Sequence, residues 1–264
     1  MYAVFLHAHQ KIDRVAHRHL RQLDGAAFFP RLRTIYHFEG KNGPDAAKLK
    51  NKDNVEQPWH FINPLDITDT GLHRAIDTHY TELVKALKRR DEVKSAFEAA
   101  WLAHALVDGL TPAHHYPYEK ELEELRGSDR HSRKGLVGRA YVKGDTRRDS
   151  LMRSLQLIGP KGLLTSHALF EGGAFTIMAP LRLRNALPTA EDIAEIREFG
   201  VVGYFHRVAR EVAVHEMYKR YMDRGWTQKL SRDIRRELAP RMVRMVTLAW
   251  YAALCDAGLV PEPA

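Results

Sequence analysis

The sequence predicts an all-α chain folded as a single helical domain over residues 1–264. Three observations carry that expectation. Apolar residues recur at helical spacing along most of the chain. Alternating strand patterns are nearly absent. No linker or shift in composition divides the chain into two units. A length of 264 residues with 44 % hydrophobic content supports one large core and argues against disorder.

The elements follow in order. A first helix is expected over 9–24, where Ile12, Val15, Ala16, Leu20 and Leu23 recur at helical spacing. Residues 25–68 are punctuated by Gly25, Pro30, Gly40, Gly43, Pro44, Pro58 and Pro64 and read as one long irregular region. Long irregular segments inside compact domains are often functional. Helices are expected over 70–88 and 91–108, the second starting at Asp91 and stopped by Gly109 and Pro112. A short helix covers 118–126, and 127–150 reads as a loop rich in Gly, Ser, Arg and Lys. A helix follows across 163–175. Residues 190–223 read as one long helix or a bent pair. The last helix spans 231–257, broken or kinked at Pro240 and ending at Gly258.

Composition narrows the chemistry. There are 15 His and a single Cys, Cys255. That excludes an intramolecular disulfide framework and any cysteine-based zinc cage. A bound transition metal would have to use His, Asp and Glu. No run approaches the length of a membrane span. The start, MYAVFLHAHQK, lacks a basic region followed by a long apolar one, so no signal peptide is read and a cytoplasmic location is expected.

The formal charge is +8, and it is concentrated. Residues 126–148 hold eight Lys+Arg against two Asp+Glu, and residues 207–244 hold eleven against five. Each segment is thus at +6, and the rest of the chain is at −4. Such segments suit phosphate-rich partners, or they are simply solvated faces.

The residues with most chemical content are His104-Ala-Leu-Val-Asp108, followed by Gly109, Pro112 and His114. His104 and Asp108 are four apart on an expected helix, so both side chains can reach one ion. A turn at Gly109 and Pro112 could return His114 to the same place. His167 and Glu171 repeat the spacing. Asp45 after Pro44, His60 between Trp59 and Phe61, and His7 and His9 at the start complete the set. Imidazole and carboxylate suit zinc and similar ions. Each pair alone is also what an ordinary surface ion pair or helix cap looks like.

Taken together, the order of these motifs resembles the zinc-dependent phospholipase C superfamily, which includes the single-strand-specific zinc nucleases. His104, Asp108, Pro112 and His114 match its central His-x3-Asp-x3-Pro-x-His motif. His60, Phe61 and Pro64 match its His-Phe-x-x-Pro. His167 and Glu171 match its downstream His-x3-Glu. Gly40 through Pro44-Asp45, and His9 through Ile12, look like its upstream segments.

The resemblance implies a helical fold around two or three zinc ions. Asp45, His60, His104 and Asp108 would hold one ion, and His114, His167 and Glu171 a second. Asp108 and His9 would hold a third. Asp45 would orient or deprotonate the attacking water. Where the family uses an N-terminal Trp at the third ion, this chain begins Met1-Tyr2, and His7 is the available substitute. Two ions and three are both compatible with the motifs.

The expected activity is hydrolysis of a phosphate ester, with a phospholipid head group or single-stranded nucleic acid as substrate. His115, Tyr116, Tyr118 and Trp59 flank the motifs, either to stack on a substrate or to pack around the site. A non-catalytic nucleic-acid-binding module with a structural metal is the alternative. A helical scaffold with coincidental motifs is the third reading.

Overall fold

The computed structural model describes residues 2–23, 26–40, 42–45, 61–117, 121, 124–125, 142 and 144–260, with the side chains of 2–7 and 26 excepted. Among these residues the regular structure is helical, as the periodicity predicts, and no strand occurs.

Two helices form the centre. They are α4 (Glu92–Leu110) and α10 (Ala239–Asp256), and both are buried around most of their circumference. A helix apolar on all faces must be enclosed by others. Trp250, fully buried on α10, ties the two together by donating its indole N–H to the Ala99 carbonyl at 3.1 Å. The ring of Phe29 covers Trp250 at a centroid distance of 5.0 Å.

The other helices wrap this pair. They are α1 (Tyr2–Leu20), α2 (Leu32–Glu39), α3 (Gly71–Lys88), α5 (Arg147–Ile158), α6 (Leu163–Met178), α7 (Ala190–Ala213), α8 (Met217–Arg224) and α9 (Gln228–Asp233). Helix α3 packs along α4, α1 along α10, and α2 along α4. Asp91 caps α4 by accepting from the Lys94 N–H at 2.9 Å. Thr189 and Asp192 close a capping box on α7.

The structure corrects the sequence reading in three places and settles one alternative. Residues 32–39 form a helix inside the region read as irregular. Helix α5 begins within the expected loop, and Thr146 caps it by accepting from the Asp149 N–H. Of the two readings of 190–223 the structure shows the bent pair: two helices, the first bent at Gly200. Near Pro240 there is no break: a π-helical turn, Ile234–Leu238, feeds directly into α10. Proline has no N–H to donate back, and the π turn passes that gap by pairing the Ala239 N–H with the Ile234 carbonyl. Of 118–126, Glu121, Glu124 and Leu125 are helical, and the other residues lie outside the described set. Most of the basic 126–148 segment lies outside it as well.

Candidate metal centre

The centre lies where α4 ends. Helix α4 runs through Gly109 to Leu110, so Gly109 is not its stop. Gly109 is needed for close packing instead: a Cβ there would sit 2.5 Å from both Leu72 Cδ2 and Phe205 Cζ. The stop comes at Thr111 and Pro112, which start a 3-10 turn, Pro112–His115. Within it the His114 N–H bonds the Thr111 carbonyl at 2.8 Å, which keeps the turn tight and returns the His114 ring toward Asp108.

His104, Asp108 and His114 are all buried, as a motif directed inward requires. Asp108 holds the middle. Its Oδ1 lies 3.3 Å from His9 Nε2, and its Oδ2 lies 3.2 Å from His104 Nε2 and 3.8 Å from His114 Nδ1.

On one side of Asp108, His9 and His104 stack as near-parallel rings. Their Nδ1 atoms both point to one oxygen, Glu39 Oε1, at 3.2 and 3.1 Å. On the other side, His114 and His167 stack 5.0 Å apart with planes 11° from parallel. Their Nε2 atoms meet on Glu171 Oε1 at 2.8 and 2.9 Å. Each half is therefore a pair of imidazoles converging on one carboxylate. The donor atoms of His9, Glu39 and His104 lie within 4.8 Å of one another, as do those of His114, His167 and Glu171. Either group could hold a metal ion.

The remaining expected residues divide. Asp45 lies at the rim, 39 % exposed, 4.0 Å from His104 Nε2. It is brought there by the turn after α2, where the Gly43 N–H bonds the Gly40 carbonyl. A Cβ on Gly43 would fall 2.4 Å from the Glu39 carbonyl oxygen, so only glycine lets the chain fold back this closely. His60 and the side chain of His7 lie outside the described residues. Phe61, next to His60, has its ring 5.1 Å from His114 and 6.1 Å from His167. The Ile62 N–H bonds the His114 carbonyl, which anchors this segment to the site.

Two carboxylates were not anticipated. Glu39 ends α2 and is buried. Asp13, one turn beyond His9 on α1, is 0 % exposed and neither of its oxygens has a hydrogen-bond partner. Both could have been found. Glu39 follows Ile35 at helical spacing, and His9–Asp13 is a third His-x3-carboxylate pair.

The electrostatics follow from burial and neighbours. Burial pushes Asp13 well above the usual carboxylate range, and Glu39 adds to the rise. Burial opposes a charge on His104, yet Asp108 and Glu39 outweigh it and raise its pKa well above the ordinary value. Burial likewise opposes the Glu171 carboxylate, but His167 and His114 hold it down at about 2.

The donor set fits a divalent cation. It offers only imidazole and carboxylate, which suit zinc-like ions. Glu39 Oε2 is buried with no hydrogen-bond partner, a costly arrangement for an ionised group unless positive charge compensates it. A cavity of about 280 Å³ opens on the centre. It is lined by His9, Asp45, Asp108, His114, His167 and Glu171 and otherwise mostly by apolar side chains.

The other histidines with described contacts serve the fold. His17 and His19 reach the carbonyls of Pro30 and Leu183, and His79 reaches Glu98 at 2.6 Å. His115 bonds the Gly109 carbonyl at 2.8 Å, and Tyr116 donates to Glu121 and packs edge-on against Tyr218, so both take the packing role. Trp59 and Tyr118 lie outside the described residues. In the basic 207–244 segment, Arg207, Lys219, Arg220 and Arg241 pair with Glu195, Glu216, Asp233 and Glu237. Arg244 pairs with Asp192. Three of these partners lie within the segment and are already counted in its +6, so only Glu195 and Asp192 offset that net charge, which leaves +4. No helix among the described residues is long and apolar enough to cross a membrane.

Compared with known protein families, with curated proteins and with solved structures, the chain matches none.

Proposed function

We propose that this chain is a metal-dependent phosphoester hydrolase, with zinc as the ion its donors suit best. One observation carries the reading. A single buried carboxylate, Asp108, faces both imidazole pairs at once, within 3.3 Å of His9 and His104 and 3.8 Å of His114. A carboxylate between two donor groups is the arrangement that holds two cations close enough to act on one phosphate. The order of the motifs, which resembles that of the zinc-dependent phospholipase C and single-strand-specific nuclease superfamily, supports the same reading.

The roles of the residues follow from their positions. His104, Asp108, Asp45 and His9 would hold one part of the centre, and His114, His167 and Glu171 the other. Bound there, divalent cations supply Lewis acidity toward a phosphate oxygen and acidify water. Asp45, the one carboxylate at the rim, is placed to orient the attacking water and accept its proton at a carboxylate oxygen. Glu39 takes the Nδ1 sides of His9 and His104 and leaves both Nε2 atoms facing Asp108. A carboxylate behind a metal-binding histidine orients the ring and raises its basicity. Phe61 packs its ring, tilted, beside those of His114 and His167.

A closed structural metal site offers no open position to substrate. The cavity against these residues favours catalysis over the non-catalytic alternative. The test is hydrolysis of bis(p-nitrophenyl) phosphate by zinc-reconstituted protein. Turnover that disappears on chelation and in Asp108→Ala supports the reading. Turnover by metal-free protein, or none with metal bound, overturns it.

A further inference from the structure

Two histidines outside the centre face each other across two helices. His73 stands in the first turn of α3, and His206 lies on α7 beyond its bend at Gly200. His73 Nε2 and His206 Nδ1 are 3.3 Å apart, with ring planes at 72°. Both residues are half-buried, so a small ion can reach the pair from solvent. The separation decides what the pair suits. It is long for a hydrogen bond, past the about 2.7–3.2 Å of ordinary N–H···O bonds. With Zn–N bonds of about 2.0–2.1 Å, two ligand nitrogens on a tetrahedral ion sit about 3.3–3.4 Å apart, and on a square-planar ion about 2.8–3.0 Å. The observed spacing is a tetrahedral edge.

The surroundings agree with a cation there. Burial lowers the His73 pKa and the His206 ring lowers it further, while Asp69 opposes them, so His73 is a neutral ring, the form that ligates. Asp69 puts a negative charge near the pair. The cation beside His206, Arg207, is held by both oxygens of Glu195 and is offset there. The position also has structural weight. Leu72 and Phe205, each one residue before a histidine of the pair, are the side chains that close on Gly109, next to Asp108. The His73 ring packs edge-on against Phe205 at 5.8 Å. An ion shared by the two rings would therefore join α3 to α7 beside the end of α4.

We propose that His73 and His206 form a separate structural site for a zinc-like divalent cation, which staples α3 to α7, with water at its remaining positions and Asp69 as the nearby counter-charge. Both facing nitrogens must be bare to ligate. His73 then carries its proton on Nδ1 and His206 on Nε2, a choice of tautomer that costs neutral rings no net proton. Two protein ligands hold an ion less firmly than the larger donor groups of the centre, so this site fills last and empties first. It does not depend on the hydrolase reading, because its residues lie outside the centre and no turnover is involved.

The experiment locates the ion residue by residue on the unsubstituted full-length protein. Zinc is added beyond the amount that saturates the centre, histidines are modified with diethyl pyrocarbonate, and the modified positions are mapped by peptide mass spectrometry. Modification of His73 and His206 should fall about fivefold or more once zinc is well above the site's Kd. Magnesium, which prefers oxygen ligands, should leave both unchanged. Equal modification with and without zinc overturns the site, and so does equal protection by magnesium. Thermal melting gives a second readout. Excess zinc should raise the Tm of the parent more than that of His73→Ala or His206→Ala, and His206→Cys, which keeps a ligand atom, should recover the difference. Circular dichroism checks that each variant is folded, and the mapping on the parent stands whether or not they are. The parent's full zinc-dependent rise in a folded alanine variant overturns the site. Protection of His73 and His206 in protein that hydrolyses no phosphoester would leave this site standing and the hydrolase reading overturned. Turnover with no protection would do the reverse.

Discussion

His9 and His104 stack face to face with ring centroids 4.3 Å apart and planes 12° from parallel, although they come from different helices. Glu39 fixes the pair from one edge and Asp108 from the other. If the Nε2 edges face the metal, Glu39 is the orienting carboxylate. Glu39→Ala should then weaken metal affinity about 10- to 100-fold, the range seen when such a partner is removed. Glu39→Gln keeps an acceptor oxygen and should lose less. Competition with a chromophoric chelator measures both, and an unchanged affinity in Glu39→Ala would remove Glu39 from this role.

Asp13 makes a separate prediction about stability. Its folded pKa is raised, so the contribution of its protonated form is present at low pH and is lost as pH rises through that folded value. Asn mimics the neutral carboxylic acid without a charge to bury. Metal-free Asp13→Asn should therefore match the parent near pH 4 and gain on it in Tm as the pH is raised. A large loss of stability at alkaline pH would mean that Asp13 serves as a carboxylate.

His115 works in the opposite sense. Burial lowers its pKa from 6.5 to about 4 despite the Gly109 carbonyl, because a charged ring is poorly solvated there. The unfolded chain takes up a proton first, so stability falls as pH drops from about 6.5 to about 4 and then levels off. The loss from this residue is on the order of 3 kcal/mol. In His115→Gln the urea midpoint should depend less on pH across that window. An unchanged pH dependence would contradict the assignment.

Metal uptake should release protons. His104 has a raised pKa in the metal-free centre, yet it can ligate only as a neutral ring. Calorimetry in buffers of different ionisation enthalpy should show net proton release, and zinc affinity should fall about tenfold or more between pH 8 and pH 6. Uptake with no proton release would place the ion away from His104.

How far the sequence reveals this centre depends on the local signal around each residue. His104–Asp108 and His167–Glu171 are legible because i,i+4 spacing on a strongly periodic helix fixes which side chains share a face. The return of His114 is legible from Pro112. Glu39 is hidden because α2 has only eight residues, no side-chain cap on Arg31 and glycine and proline on both flanks, so punctuation outweighs period. Gly109 reads locally as a helix stop, while its role comes from Leu72 and Phe205, which are distant in sequence. The apolar part of the cavity's lining is not legible at all. Ile12, Met178 and Met242 each look like ordinary core residues until the helices are assembled.

The central claim is that one buried carboxylate, Asp108, joins two metal-binding halves. The most direct measurement is the metal content of zinc-saturated, desalted protein by plasma mass spectrometry, for the parent and for Asp108→Ala. The parent should retain two ions or more per chain, and Asp108→Ala should retain one or none. A parent that holds fewer than two, or a variant that keeps the parent's full complement, would contradict the claim.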